Sequence, residues 1–240
     1  MDSAADFNSR VNAVIEAIEA GYRDSVRQDM QPLLDAGVQS DEDLFAIVED
    51  TGSDPEKRER AFWLLSRLGT PGTAPALFKA LKDPNASLRA AAARMIGESG
   101  IKESVDRLVA LLQSDPEPKV RKDAAYALGL IGDATAVKPI VAALKDESPM
   151  VRGMAAEALT YIRDLSVLDS LLETLQDPSA EVRYWGAFAV GQIGGEDCIH
   201  ALRRLADSDN EIAQGYGSVR DEAEEAIRSI QERKDQEGQD

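Results

Sequence analysis

Side chains that commonly perform catalysis are scarce in this chain of 240 residues. It contains one histidine, His200, and one cysteine, Cys198, so neither an intramolecular disulfide nor a cysteine-rich metal site can form. The sequence also lacks a glycine-rich phosphate loop and a serine–histidine–aspartate set with a credible base. The fold could bring together two of the acids Glu98, Asp123 and Glu157 as a pair of carboxylates, yet acids on a protein surface are commonly solvated. The residue types therefore favour a protein without a catalytic site, a metal site or a bound cofactor.

A repeat of 31 or 32 residues organises most of the chain. Its clearest copy is Val120–Leu144, which reads VRKDAAYALGLIGDATAVKPIVAAL. Six arginines mark the copies at spacings of 31, 32, 31, 31 and 37 residues: Arg58, Arg89, Arg121, Arg152, Arg183 and Arg220. A fixed period of this length is typical of a solenoid, in which each unit packs only on its neighbours. An arginine present in every repeat is expected to be structural and to tie one repeat to turn acids or carbonyls of the next.

Each repeat is predicted to be a hairpin of a first and a second helix joined by a short turn. The first helix follows the pattern AVKPIVAAL, and the second follows VRxxAAxALGxIG. Aspartate and proline in the turn are expected to cap and begin the second helix, at Asp54–Pro55, Asp83–Pro84, Asp115–Pro116 and Asp177–Pro178. Glycines that suit a left-handed cap are expected to end it, at Gly69, Gly100, Gly132 and Gly194.

The second helix repeats its residue types when positions are counted from its arginine as zero. Positions −1, +3, +7 and +10 fall on one side at about 100° per residue and hold mostly Val, Leu, Ala and Ile, so they are predicted to face the first helix. Positions +4 and +8 hold mostly Ala, Gly, Ser or Thr. Small residues there are expected to let successive second helices approach closely.

The periodicity predicts one all-α domain that fills residues 1–240. Apolar residues at helical spacing from Phe7 and again from Tyr22 predict two helices that end near Gly21 and Gly37. We interpret this pair as an N-terminal helical cap, 1–38, on the first repeat. Six repeats then occupy 41–231, and a charged tail, 232–240, is expected to fray.

Acidic residues outnumber basic ones and give a formal net charge of −17. Nucleic acids and anionic membranes need clustered Lys and Arg, so the charge argues against both as partners. The first residues, MDSAADFNSR, lack the basic and apolar segments of a secretory signal, and no apolar run approaches the length of a membrane span. We therefore expect a cytoplasmic protein.

The segment Val120–Val137, which reads VRKDAAYALGLIGDATAV, resembles the HEAT-like repeats of the phycobilisome-lyase type. The resemblance extends over about Asp41–Gln231 and implies a right-handed α-solenoid of about six HEAT-like helical hairpin repeats plus the N-terminal cap. Such repeats are found in bilin lyases and chromophore chaperones, in a metal-dependent hydroxylase and in many adaptors. The hydroxylase, deoxyhypusine hydroxylase, binds two irons through His-Glu pairs, whereas Ala201 follows His200 here, so we reject that activity.

Positions +1, +2, +5 and +9 of the second helix lie opposite its core side, and the resemblance implies that they line a concave groove. They hold both tryptophans and three of the five tyrosines, and Trp, Tyr and Arg are common in interface hot spots. The residues predicted to bind a partner are Trp63, Arg67, Arg94, Tyr126, Met154, Tyr161, Tyr184, Trp185 and Phe188. Tyr216 is added because the segment between Asp207 and Val219 is longer than other turns, and insertions often fall on the binding face. The alternative is that these side chains pack on neighbouring second helices and that the insertion is merely tolerated.

Charge on the same positions changes sign along the chain. Basic residues occupy the first three repeats, at Arg60, Arg67, Arg94 and Lys122. Acidic residues occupy the last three, at Glu157, Asp221, Glu222 and Glu225. A partner with the opposite gradient would be oriented by it, although an ordinary solvated face has a similar mixture.

Three functions are compatible with these features. The first is a non-catalytic scaffold or adaptor that binds a protein partner in its concave groove. The second, implied by the resemblance, is a bilin lyase or chromophore chaperone that acts on a bilin-bearing protein. Aromatic rings would stack on the tetrapyrrole, Asp123 or Glu157 would contact its pyrrole nitrogens, and its propionates would pair with Arg60, Arg67 or Arg94. The third is an accessory factor in cofactor or metallocluster assembly, in which Cys198 is a contact and a partner supplies the other ligands.

Overall fold

Helices make up nearly all of the secondary structure in the computed structural model, which describes residues 4–19, 26–35 and 37–237. Two helices come first, α1 (Ala4–Glu19) and α2 (Val26–Asp35). Six hairpins follow, whose first helices are α3 (Asp41–Glu49), α5 (Thr73–Ala80), α7 (Val105–Ser114), α9 (Val137–Ala143), α11 (Leu168–Thr174) and α13 (Ile199–Ser208). Their second helices are α4 (Pro55–Leu68), α6 (Ala86–Glu98), α8 (Pro118–Ile131), α10 (Pro149–Ile162), α12 (Ala180–Ile193) and α14 (Val219–Glu237). The predicted fold class, an all-α solenoid of helical hairpins, is confirmed.

Short elements complete the chain between these helices. Single turns of 3-10 helix lead into α7, α9, α11 and α13, at Lys102–Ser104, Ala134–Ala136, Leu165–Val167 and Glu196–Cys198. Between α13 and α14, strand β1 (Ile212–Ala213) pairs antiparallel with β2 (Gly217–Ser218), so that Ile212 faces Ser218 and Ala213 faces Gly217. This hairpin occupies the predicted insertion.

The chain divides into two compact units, an N-terminal unit (Met1–Ser99) and a C-terminal unit (Gly100–Asp240). In the N-terminal unit, α1 and α2 both contact α4, and Phe7, Val11 and Ile15 of α1 are buried. These are the contacts expected of a cap on the first repeat. The predicted helix end at Gly21 and the apolar Tyr22 lie outside the described residues.

The apolar side of the second helices is buried as predicted. In α8, Val120, Ala124, Leu128 and Ile131 occupy positions −1, +3, +7 and +10, and all four are buried. At position +3 of α12, a Cβ on Gly186 would lie 2.0 Å from Oγ1 of Thr174 in α11. The first helix therefore packs directly on this side of the second, which explains why the repeat keeps small residues there.

Glycine at position +8 brings successive second helices of the C-terminal unit into backbone contact. A Cβ on Gly129 of α8 would lie 2.8 Å from Cα of Ala158 in α10. A Cβ on Gly191 of α12 would lie 2.7 Å from Cα of Ala226 in α14. Because the obstructing atoms belong to backbone or to Cβ, they cannot rotate away. The predicted close approach is thereby confirmed.

Ion pairs of the recurring arginines Arg58, Arg121, Arg152 and Arg183 connect neighbouring repeats, as predicted, and we call them the Arg–Asp ladder. In the C-terminal unit its rungs are Arg121–Asp146, Arg152–Asp177 and Arg183–Asp209. The Arg152 guanidinium donates to both Asp177 oxygens at 2.7 and 2.8 Å, and its third nitrogen donates to the Asp146 carbonyl at 2.9 Å. Each arginine therefore holds the turn before its own helix and the turn of the next repeat. In the N-terminal unit, Arg58 pairs with Asp83 at 2.7 Å. Arg220 differs, because it donates to the Asp207 carbonyl at 3.5 Å and its buried Nε has no hydrogen-bond partner among the described residues.

Of the four turn aspartates predicted to cap a helix, Asp54 does so and three do not. Asp54 does cap α4 by accepting from the Lys57 amide, and Pro55 begins that helix. Asp177, in contrast, lies two residues before the N-cap Ser179, and its carboxylate accepts from the Ser179 amide and from Arg152. Asp83 and Asp115 occupy the same place before the N-caps Asn85 and Glu117. Asp83 and Asp177 therefore pair with arginines of the ladder instead of capping the helix that follows them.

Two helix ends also differ from the sequence prediction. Gly69, Gly100 and Gly132 are left-handed as expected, with φ near 65°. Gly194 is extended instead, with φ −77° and ψ 164°, and its carbonyl accepts a hydrogen bond from Arg233 of α14 at 2.8 Å. That contact belongs to α14, which continues to Glu237 through most of the segment predicted to fray. Residues 238–240 lie outside the described chain.

We expect Arg152→Ala to lower the free energy of unfolding by about 3 kcal/mol, because it leaves the Asp177 carboxylate largely buried without its cation. Urea denaturation measures the change. Lys145→Ala is the control, since its ion pair with Glu173 is exposed and such pairs are worth less than about 1 kcal/mol. Equal effects of the two substitutions would contradict a structural ladder.

We expect Gly129→Ala to destabilise the protein by about 1–3 kcal/mol through the overlap with Ala158. Helix propensity alone gives the opposite sign, because alanine is favoured over glycine by about 1 kcal/mol in a helix. The sign of the change in urea denaturation therefore decides whether α8 and α10 touch at this position.

Candidate functional site

Four aromatic rings form a cluster in the C-terminal unit. Tyr184, Trp185 and Phe188 lie on α12, and Tyr216 lies in the turn between β1 and β2. The Tyr216 ring stacks on Tyr184 with centroids 5.7 Å apart and meets Trp185 edge-on at 5.1 Å. Trp185 also meets Phe188 edge-on at 5.5 Å. Each ring pair of this geometry contributes about 0.5–1.5 kcal/mol of stability beyond the hydrophobic gain from the area that it buries.

Two local features position these rings. A Cβ on Gly153 of α10 would lie 3.1 Å from Cδ1 of Trp185, so glycine there leaves room for the indole. Tyr216 is placed by the β1–β2 hairpin, in which Gly215 and Gly217 have φ of 84° and 154° and the Tyr216 amide donates to the Ala213 carbonyl. The insertion therefore directs its aromatic tip onto α12.

A cavity of about 650 Å³ opens beside this cluster, between α10, α12 and α14. Its aromatic lining consists of Tyr161, Tyr184, Trp185 and Phe188. Its charged lining consists of Glu157, Arg163, Glu222 and Glu225. Small and polar residues, Thr160, Gly191, Gln192, Ala226 and Ser229, complete it. The cavity therefore combines aromatic surface with carboxylates, a lining suited to a ligand that has both apolar and cationic parts.

Glu157 and Glu222 are half-buried, and this burial disfavours the charged form of both side chains. Burial raises the pKa of Glu157, and the hydrogen bond from the Tyr161 hydroxyl at 3.1 Å offsets this only in part. Burial also raises the pKa of Glu222, offset in part by the Tyr184 hydroxyl and raised further by the nearby Glu225 charge. Burial and these carboxylates raise the pKa of Tyr161 and of Tyr184 to about 12, so both phenols stay neutral donors at physiological pH.

The other predicted partner-binding residues lie apart from this cavity. Tyr126 on α8 and Met154 on α10 are half-buried and do not line it. In the N-terminal unit, the Arg67 guanidinium lies 5.7 Å from the Trp63 ring centroid and pairs with Glu98 at 2.8 Å. Arg94 pairs with Glu59 at 3.3 Å.

Not all of the predicted groove positions are open. Ala90, Ala91, Asp123 and Gly153 occupy positions +1 or +2 and are buried. The alternative of packing between second helices therefore holds at these positions, where side chains are small or partnered. At the same positions of α12, Tyr184 and Trp185 are half-buried, and their rings line the cavity.

The sequence pattern indicated Glu222 and Glu225 only as part of a charge gradient, and Glu157 also as a possible paired acid or bilin contact. It did not indicate Arg163 as a lining residue. Arg163 ends α10 in the left-handed conformation, with φ 56°, where three other repeats use glycine. The presence of an arginine where other repeats have glycine is the feature of the sequence that could have indicated Arg163. No local pattern showed that Glu157 and Glu222 would be buried.

The remaining reactive groups lie away from the site. Cys198 is buried in the turn before α13, and this burial raises the pKa of its thiol, while His200 is exposed on α13. Within residues 4–19, 26–35 and 37–237, no three His, Cys, Asp or Glu side chains are grouped as metal ligands would be. None of the helices in those ranges is both long and apolar enough to cross a membrane.

Comparison with solved structures identifies the architecture. The Escherichia coli protein YibA is 23% identical over 82% of this chain and 72% of its own, with a TM-score of 0.61. A designed armadillo repeat protein in complex with the peptide (KR)4 is 22% identical over 78% of this chain and 99% of its own, with a TM-score of 0.53. The CpcE and CpcF complex of phycocyanin lyase from Nostoc sp. PCC7120 is 21% identical, covering 79% of this chain and 82% of its own, with a TM-score of 0.48. At these identities, the likeness to the first two structures shows the fold alone.

No curated protein matches the chain significantly. The sequence profile of HEAT repeats matches it three times, over residues 42–129, 105–178 and 137–228. Together these matches cover the six hairpins from α3 into α14. The chain therefore belongs to the HEAT-repeat family.

Proposed function

We propose that this protein is a non-catalytic adaptor that binds a protein partner through the face formed by α10, α12 and α14. The observation that supports this most strongly is the aromatic cluster of Tyr184, Trp185, Phe188 and Tyr216, which lies at an open cavity and not within the core. HEAT-type solenoids are suited to protein binding because their stacked helices present extended surfaces. This face is the part of the predicted groove that the proposal uses.

The exposure of the aromatic residues fits an interface. Tyr161 is 46% exposed and Tyr216 is 51% exposed, whereas the large core side chains are almost fully buried. Exposed aromatic surface next to half-buried Trp185 and Tyr184 can be covered by a partner with a gain from the hydrophobic effect. Trp and Tyr are also the residue types that dominate interface energetics.

The acidic residues of the cavity support the same proposal. A carboxyl group whose pKa is raised by burial destabilises the folded protein at neutral pH, where it is ionised. Glu157 and Glu222 are both in this situation. Carboxylates that oppose stability in a cleft are candidates for a functional role, since solubility alone can be met by fully exposed acids.

The bilin hypothesis receives less support from the geometry. The three arginines suggested for the propionates lie in the N-terminal unit and pair with glutamates there: Arg60 with Glu56, Arg67 with Glu98 and Arg94 with Glu59. The cavity of the C-terminal unit carries three glutamates and one arginine, which disfavours an anionic ligand. Burial of Cys198 similarly disfavours a contact with a metallocluster, because the raised pKa opposes the thiolate form.

We expect Glu157→Gln/Glu222→Gln to raise the free energy of unfolding at neutral pH by more than the roughly 0.5 kcal/mol typical of surface substitutions. Both native carboxyls have raised pKa values, so their favourable contribution exists when they are protonated and is lost as the pH rises through the folded-state pKa. The gain should therefore disappear below about pH 4, where glutamate is protonated in both states.

Glu224→Gln/Glu232→Gln is the matched control for this stability measurement. Both residues are exposed on α14, and the substitutions change the net charge equally. Urea denaturation of both variants at several pH values separates a local effect from one of total charge. Equal stabilisation by the two pairs would contradict a special environment for Glu157 and Glu222.

We expect Tyr161→Ala/Trp185→Ala to weaken partner binding by at least about 2 kcal/mol, or about thirtyfold in Kd. Extended peptides selected by the wild-type protein from a displayed random library are the ligands, and calorimetry measures their affinity. Met150→Ala/Leu165→Ala is the control, since both residues are exposed and apolar but do not line the cavity. Unchanged affinity of the Tyr161/Trp185 variant would contradict the proposed binding face.

A further inference from the structure

We infer that the cavity between α10, α12 and α14 receives the side chain of a lysine or arginine from the partner segment. This inference rests on the proposed function and specifies the chemistry of the partner. The charges and the aromatic rings of the lining support it, and so does a similar combination of side chains in the N-terminal unit.

The charges of the lining are complementary to a cation. Glu157 lies on α10, and Glu222 and Glu225 lie on α14, against a single lining cation, Arg163. The Glu157 carboxylate accepts the Tyr161 hydroxyl, and a carboxylate offers about four acceptor sites, so it retains capacity for an ammonium or guanidinium group. An incoming cation would also relieve the repulsion between Glu222 and Glu225.

Neighbouring basic residues neutralise this negative charge only in part. Lys122 on α8 attracts the Glu157 charge but pairs with Asp123 at 3.3 Å. Arg228 pairs with Glu225, and both of these side chains are more than half exposed. Glu222 is half-buried and forms a side-chain hydrogen bond with a neutral phenol, Tyr184.

The aromatic lining gives a cation a second kind of contact. Lysine and arginine are attracted to the faces of Trp and Tyr rings within about 6 Å of the centroid. Trp185, Tyr184 and Tyr161 all line the cavity beside the glutamates. The long aliphatic stem of such a side chain can pack on Phe188, while its charged end reaches the carboxylates.

The N-terminal unit contains an intramolecular version of this arrangement. Trp63 and Arg67 occupy positions +5 and +9 of their repeat, and the guanidinium lies over the indole while pairing with Glu98. The cavity of the C-terminal unit also combines an indole with carboxylates, although Trp185 is at position +2 and position +5 of α12 is Phe188. The two sites therefore share their chemistry and not their positions in the repeat. A partner side chain would make with Trp185 the kind of contact that Arg67 makes with Trp63.

Fluorescence titration of the full chain tests the inference. Trp63→Phe leaves Trp185 as the only tryptophan, so its emission reports on the cavity. The probes are tetra-arginine, tetralysine and tetracitrulline peptides, of which the last keeps the shape of arginine without its charge. We expect saturable changes in Trp185 emission with the two basic peptides and at least about tenfold weaker binding of tetracitrulline.

Two glutamine substitutions on one helix separate the cavity from total charge. In the Trp63→Phe background, Glu222→Gln should weaken tetra-arginine binding about tenfold, because it removes a charge-assisted hydrogen bond. Glu224→Gln changes the net charge equally at an exposed position and should weaken binding less than about twofold. Equal weakening by both variants would overturn the inference, since it would indicate only attraction to an acidic protein.

Failure of this inference is distinguishable from failure of the proposed function. If library peptides that need Tyr161 and Trp185 bind without any basic residue, the cation site is wrong and the binding face stands. If selected peptides bind equally to Tyr161→Ala/Trp185→Ala, the face itself is wrong and the cation site fails with it. A basic residue common to selected peptides, together with loss of binding in Glu222→Gln, would support both.

Discussion

The ion pair between an arginine of one second helix and an aspartate in the next turn is the interaction on which the C-terminal unit depends. Arg121, Arg152 and Arg183 each bridge two turns. Each aspartate carboxylate also accepts a backbone amide two residues on, which for Asp146 and Asp177 is the N-cap of the following helix. A largely buried guanidinium has five donors in a fixed plane, so it sets both the distance and the orientation of the neighbouring repeat. Apolar packing alone would allow more variation, because the hydrophobic effect is non-directional.

Close contact between second helices follows from this orientation. Gly129 and Gly191 remove the side chains that would separate α8 from α10 and α12 from α14. The larger residues of α12 then have too little space between helices, and Tyr184, Trp185 and Phe188 lie along the open face. The β1–β2 hairpin adds Tyr216 to them from an insertion that the repeat itself does not require. The site therefore arises where the regular packing of small residues is interrupted by aromatic ones.

Much of this architecture is visible in the amino-acid sequence, because repetition makes a local pattern informative about distant contacts. The arginine at position 0 predicts the ladder, and the small residues at positions +4 and +8 predict the close packing of second helices. Asp177 was wrongly predicted to cap α12, because its carboxylate pairs with Arg152 and Ser179 is the N-cap. Gly194 does end α12 as predicted, but in an extended conformation and not the left-handed one. The aromatic residues of α12 were predicted, whereas burial of Glu157 and Glu222 was not, since a carboxylate has the same sequence signal in solvent and in a cleft.

The central claim is that a basic segment of a partner binds to the face formed by α10, α12 and α14. Hydrogen–deuterium exchange of the full chain, with and without tetra-arginine at saturation, locates the bound segment most directly. Binding at this face predicts slower exchange in α12, in the first turns of α14 and in the hairpin at residues 212–218, with the N-terminal unit unchanged. Slower exchange in the N-terminal unit alone, or uniform change along the chain, would contradict it.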